Sequence, residues 1–227
     1  MGAVALGGHV VHVAIARIEA VRVEALLYDM GNVLVEIDFR RVTARWAELA
    51  GVAAAEVERR FLPGFAYKSH ERGQLDAAGY YASLRGDLGL ALDDAALAEG
   101  WNAVFGEPIQ PTIEAVRRLA HSMPQYLLSN TNAAHYAHWS KRYERELAPL
   151  RRQFVSHLMG SRKPDRIAYE HVAREIGVPI DRVLFFDDLA ENVEGARAAG
   201  MQAVHVRSPA DVAAALRPWL GDPRAPA

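Results

Sequence analysis

Three short apolar runs constrain this chain more than any other feature: VEALLYD at 23–29, QYLLSN at 125–130 and RVLFFDD at 182–188. None alternates apolar with polar residues. Each therefore predicts a strand buried on both faces, the pattern of a parallel sheet rather than of a half-exposed one. A weaker fourth run is FVSHLMG at 154–160, and a fifth is QAVHV at 202–206. Helical stretches fill the intervals. Residues 111–121 (PTIEAVRRLAH) have helical apolar spacing behind a Pro-Thr start, and 164–177 open on Pro164 and close on Gly177. Residues 190–200 stop on Gly200, and 208–220 begin Ser-Pro, a cap followed by proline in the first turn. Strands and helices in alternation predict an α/β fold, a doubly wound parallel sheet. Ligands of such sheets bind beyond the carboxyl ends of the strands, where Asp29, Ser129, Asp187 and Asp188 all fall.

One segment breaks the alternation. Residues 40–106 contain no convincing strand, only helix-like pieces rich in Ala, Leu, Glu and Arg. They read as an all-helical insertion placed directly after the strand of Asp29, where it could close over a site and expel water. Trp46, Phe61, Trp101 and Phe105 are expected to form its helix core. The division expected is a core of 21–39 and 107–220, a helical cap of 40–106 and a frayed tail of 221–227. Residues 1–20 are an extension of unassigned role. Ala14-Ile15-Ala16 resembles a signal cleavage site, but Gly7, Gly8, His9 and His12 interrupt the apolar stretch and the first basic residue is Arg17. An extra strand or arm, or a start codon upstream of the real one, fits better.

The chain has 227 residues, enough for one sizeable core, and a formal charge of -2 with no basic stripe or acidic tail. That balance points away from nucleic acid and membrane partners, and no apolar run approaches the ~18–20 residues of a membrane span. With no cysteine, disulfides, thiolate metal sites and thiol catalysis are excluded. A reducing, cytoplasmic setting is expected. The sequence leaves the oligomeric state open.

Four separated elements suit one chemistry. Asp29 could attack phosphorus and form an aspartyl-phosphate. Ser129 and Asn130 could offer a hydroxyl and an amide to phosphoryl oxygens, with N–H groups of the following helix start beside them. Lys163, in GSRKPD, could supply a point positive charge to the same oxygens and to Asp29. Asp187 and Asp188 could hold a hard divalent cation together with Asp29, a donor set suited to Mg²⁺. Each element has a plainer reading: a loop cap for Asp29, a turn for Ser129-Asn130, a solvated basic pair for Arg162-Lys163, an acidic helix start for Asp187-Asp188. His9/His12 and His135/His138 have metal-like spacing but lack a third ligand, and read as packed or surface histidines. His70-Glu71-Arg72 is the insertion's best candidate for reading substrate hydroxyls, with a solvated turn before Gly73 as the alternative.

The motifs YDMGNVL, LLSN, RKP and FFDDLAENVEGARAAGM, in this order, resemble the haloacid dehalogenase-like hydrolase superfamily over residues 22–215. Within it, DMGNVLVEIDFRRV, HERGQ, LSNTN, RKP and FFDDLAENVEGA look like the bacterial α-D-glucose-1-phosphate phosphatase group. The resemblance implies a Rossmann-like core with a helical cap and Mg²⁺-dependent hydrolysis of a small phosphorylated metabolite. It implies that Asp29 is nucleophile and metal ligand, and that Gly31 offers its main-chain carbonyl to the metal. Ser129 and Asn130 would contact phosphate and Lys163 would stabilise its charge. Asp188 would ligate the metal directly, and Asp187 directly or through water. The departure is Gly31, where most phosphatases of the superfamily carry an Asp that serves as general acid and base. Losing such a group costs roughly 10²–10⁴-fold, so Asp29 is expected to work still, with a water, cap or substrate group moving the proton. A 2-haloacid dehalogenase and a non-catalytic phospholigand- or protein-binding relative are the alternatives.

Overall fold

The computed structural model describes residues 22–221. The expectations for residues 1–20, His9 and His12 included, and for the tail beyond Gly221 lie outside them. In chain order the elements are β1 (Ala25–Tyr28), β2 (Val35–Ile37), α1 (Phe39–Ala50), α2 (Ala54–Arg60), α3 (Phe65–Glu71), α4 (Ala77–Leu88) and α5 (Asp94–Asn102). They continue with β3 (Phe105–Pro108), α6 (Gln110–Leu119), β4 (Gln125–Ser129), α7 (Ala133–Arg142), α8 (Glu144–Leu147), β5 (Arg152–Val155) and α9 (Ser156–Met159). The last are α10 (Arg166–Ile176), a 3₁₀ turn at Ile180–Arg182, β6 (Val183–Asp187), α11 (Ala190–Ala198), β7 (Gln202–His205) and α12 (Pro209–Leu220).

Five strands form one parallel sheet in the order β5-β4-β1-β6-β7. Its two faces explain why the apolar runs do not alternate. Leu26, Tyr28, Leu127, Leu184 and Phe186 pack on one side with Ile113 and Val116 of α6 and Val212 and Leu216 of α12. Ala25, Leu27, Leu128, Val183 and Phe185 pack on the other with Tyr169 and Val172 of α10 and Ala196 of α11. Every residue of β1, β4 and β6 is buried. From β1 the chain winds outward through β4 to β5, then crosses back to β6 and β7. The carboxyl ends of β1, β4 and β6 are thus brought side by side at the reversal of winding.

The helices begin and stop as their end residues direct. α10 ends on Gly177 at φ +70° and α12 starts with a capping box of Ser208 and Asp211. The run at 154–160 is a correction. Only Phe154 and Val155 continue a strand; from Ser156 the backbone turns into α9, and the Ser156 hydroxyl joins the N–H and C=O of Thr131 at 2.9 Å each. Leu158, which a buried strand would have enclosed, is left exposed on α9.

Between β2 and β3 lie five helices, α1 to α5. Trp46 and Trp101 stack at 5.9 Å with Phe61 edge-on to both. Phe105 departs from the expectation: it belongs to β3, which pairs antiparallel with β2, and its ring meets His135 and His138 of α7. The absence of a strand up to residue 106 is corrected with it, since this two-strand ribbon is too short to show a period in sequence. No helix among the described residues is long and apolar enough to cross a membrane.

Candidate active site

Asp29 follows β1, Ser129 ends β4, and Asp187 ends β6 with Asp188 directly after it, so sheet register places them together. One carboxylate oxygen from each of Asp29, Asp187 and Asp188 falls within 4.8 Å of the others. Lys163 arrives from the loop before α10. Its ammonium donates to Asp29 Oδ1 at 2.5 Å and to Asp187 Oδ2 at 2.6 Å. Its side chain is 1% exposed and that of Asp187 is 0%, so the solvated basic pair is ruled out for Lys163.

The charges explain one another. Burial pushes the Asp29 carboxyl up to about 7; Lys163 opposes the rise, while Asp187 and Asp188 add to it by repulsion. Burial would lower Lys163, but Asp187 and Asp29 outweigh it and hold the ammonium above its ordinary value. Asp188 is raised chiefly by burial, against a hydrogen bond from Asn32. Three carboxylates with one ammonium leave an excess of buried negative charge, and hard oxygens in this number suit a divalent cation. The Gly31 carbonyl accepts no hydrogen bond among the described residues, and Gly31 lines the same cavity.

The four oxygen sources are not equivalent. Asp187 already accepts from Lys163, from Leu189 N at 2.9 Å and from Asn192 Nδ2 at 2.9 and 3.1 Å. Asp188 accepts from the Asn32 side chain at 2.9 Å. Asp29 Oδ2 has no protein donor among the described residues. Asn130 holds Lys163 by its main chain: its Oδ1 accepts from Lys163 N at 2.8 Å and its Nδ2 donates to Lys163 O at 2.9 Å. Its Oδ1 and one of its two Nδ2 hydrogens are thus engaged, which leaves the second Nδ2 hydrogen and the main-chain N–H to meet a ligand.

A cavity of about 300 Å³ joins these groups. Asp29, Gly31, Ser129, Asn130, Lys163 and Asp188 line it from the core; Asp187 sits behind them. Tyr67 and Glu71 of α3 line it from the inserted helices, beside Arg162 and the apolar walls of Ile37, Phe39, Phe105 and Trp139. Glu71 is no solvated turn residue. Burial raises its carboxyl against the pull of Arg162 and a hydrogen bond from Tyr67.

The residues 23–200 match the family model of the haloacid dehalogenase-like hydrolases. The chain is a haloacid dehalogenase-like hydrolase. The hydrolase is 29% identical over 197 residues to a phosphatase of Mycobacterium tuberculosis, covering 80% of this chain and 86% of that one. It is 27% identical over 202 residues to a sesquiterpene phosphatase of Aspergillus oryzae, covering 87% and 97%. Its fold matches that of a haloacid dehalogenase family enzyme of Bacteroides thetaiotaomicron in complex with magnesium and inorganic phosphate. That match has a TM-score of 0.70 at 21% identity over 81% of this chain and 93% of that one.

Sequence reasoning missed Asn32 and Asn192, which hold Asp188 and Asp187 in place. Asn32 carried a signal, since it follows Gly31 in a turn and takes φ 53°, a conformation that asparagine tolerates better than most side chains. Asn192 lies five residues after Asp187, inside the FFDDLAENVEGA run, and reaches it from the first turn of α11.

Proposed function

We propose that this hydrolase is a Mg²⁺-dependent phosphatase of small phosphate monoesters, with Asp29 as nucleophile. The observation that carries the reading is the Lys163 ammonium bridging Asp29 and Asp187 beside a third carboxylate, Asp188, with Asp29, Lys163 and Asp188 lining one cavity. Mg²⁺ would be held by Asp29, the Gly31 carbonyl and Asp188, with Asp187 acting through water because its oxygens are already engaged. Bound there, the ion supplies positive charge to the phosphoryl group and the carboxylates.

The protein's own residues do the rest. Asp29 Oδ2 attacks phosphorus as the bond to the leaving oxygen breaks, and that oxygen takes a proton. Water then attacks the aspartyl-phosphate, releasing inorganic phosphate and a proton and restoring the carboxylate. Lys163, the Ser129 hydroxyl and the Asn130 main-chain N–H oppose the charge on the phosphoryl oxygens. Gly31 brings no acid, so a water, a cap group or a substrate group carries both protons.

The leaving group is proposed to be a sugar. The buried Glu71–Arg162 pair gives the cavity wall fixed polar groups, its volume is at the small end of ligand sites, and the motifs resemble the glucose-1-phosphate phosphatase group. The inserted helices would act as its cap. The test is phosphate release from glucose 1-phosphate, glucose 6-phosphate, farnesyl phosphate and p-nitrophenyl phosphate, with Mg²⁺ or chelator, alongside halide release from chloroacetate. Mg²⁺-dependent turnover that vanishes in Asp29→Asn is expected. Chelator-insensitive halide release would replace the reading with a dehalogenase. Phosphate-analogue binding without turnover would replace it with a binding protein, and a preference for farnesyl phosphate would overturn the sugar.

A further inference from the structure

Three consecutive residues of the inserted helices touch the core on segments that bracket Lys163 or lie beside it. Glu71, its side chain 3% exposed, accepts from Arg162 Nε at 2.7 Å. Arg72 Nη2 donates to Asp165 Oδ2 at 2.8 Å. Gly73, at φ +69°, lies so close to α9 that a Cβ there would collide with the His157 carbonyl. Arg162 and Asp165 stand immediately before and two residues after Lys163. From the core side Asn130 grips the N–H and C=O of Lys163 itself. The loop is thus held in its middle by Asn130 and at its two ends by Glu71, the last residue of α3, and by Arg72, its C-cap.

This placement has a consequence for the charge in the site. The Lys163 ammonium contacts two buried carboxylates at 2.5 and 2.6 Å, and such contacts weaken quickly when the main chain carrying them shifts. We propose that Glu71, Arg72 and Gly73 are positioning residues: docking of the inserted helices through them fixes the Lys163 loop, so that the lysine is set for phosphoryl transfer only when the insertion is seated. The role of Lys163 rests on the proposed phosphatase activity; the coupling of the loop to α3 does not.

Hydrogen exchange at the Lys163 amide, which donates to Asn130 Oδ1, reads the loop without any substrate. Arg72→Asp and Asp165→Arg are each expected to speed exchange over residues 160–166. With whichever ester the wild type turns over, each should lower kcat by up to about fivefold at little change in KM, as suits a partly exposed ion pair. The exchanged pair, Arg72→Asp with Asp165→Arg, should restore both readouts, which a role in packing alone would not. Gly73→Ala should speed exchange in the same segment without altering any charge. Unchanged exchange in the two single variants, or an exchanged pair that restores neither readout, overturns the proposal. A wild type inactive on every ester would remove the phosphatase reading and leave the exchange result to decide this one.

Discussion

Replacing Lys163 by methionine keeps most of the side chain's length and removes only its charge. In the native protein that charge sits between Asp29 and Asp187, with 1% of the lysine side chain exposed and 12% and 0% of the two aspartates. Removing one partner of a buried pair typically costs about 3–5 kcal/mol, because the other is left buried and uncompensated. For a chain of this size that corresponds to a fall in melting temperature of roughly 6–20 °C. The loss depends on pH with a definite sign. Lys163 opposes the rise of the Asp29 carboxyl, which already stands at about 7, so the variant raises it further. A carboxyl raised in the folded state contributes stability that is full below its unfolded value of 3.8 and is lost as pH rises through the folded value. The deficit against wild type should therefore be largest at pH 8 and shrink towards pH 5. Thermal unfolding in chelator at both values measures it, and adding Mg²⁺ at pH 8 should recover part of it. Superimposed unfolding curves at pH 8 would refute the charge accounting. An equal deficit at pH 5 and pH 8 would show that packing, not charge, was lost.

Two further outcomes follow from the same site. Burial holds His135, stacked on Trp101, down at about 3, below its ordinary 6.5. Its contribution is present above pH 6.5 and drains away as pH falls towards 3, by about 2 kcal/mol between pH 8 and pH 5; denaturant unfolding of His135→Gln should show that part of the acid slope removed. At Gly31 a Cβ would lie 3.6 Å from Asp29 Oδ2 and 3.0 Å from Ile37 Cγ1, so an Asp there reaches the site once Ile37 gives slightly. Gly31→Asp should raise turnover of an alkyl phosphate towards the low end of the ~10²–10⁴ range for a general acid. It should leave p-nitrophenyl phosphate, whose leaving group needs no acid, nearly unchanged, and equal effects on the two would refute that role.

What the sequence determined by itself was the sheet and most of its contents. The unalternating runs at Ala25–Tyr28, Gln125–Ser129 and Val183–Asp187 are buried on both faces, and burial leaves its mark on composition residue by residue. Strand ends then located Asp29, Ser129 and the Asp187-Asp188 pair, because a doubly wound sheet must bring such ends together. Only tertiary structure decided which groups are engaged with one another. Asn130 grips the N–H and C=O of Lys163 from 33 positions away. The residues 71–73 meet Arg162, Asp165 and His157, more than eighty positions away in sequence. Periodicity and end signals are local and can be read along a chain. Hydrogen bonds between distant segments depend on how helices pack on the sheet, and no short-range pattern encodes that.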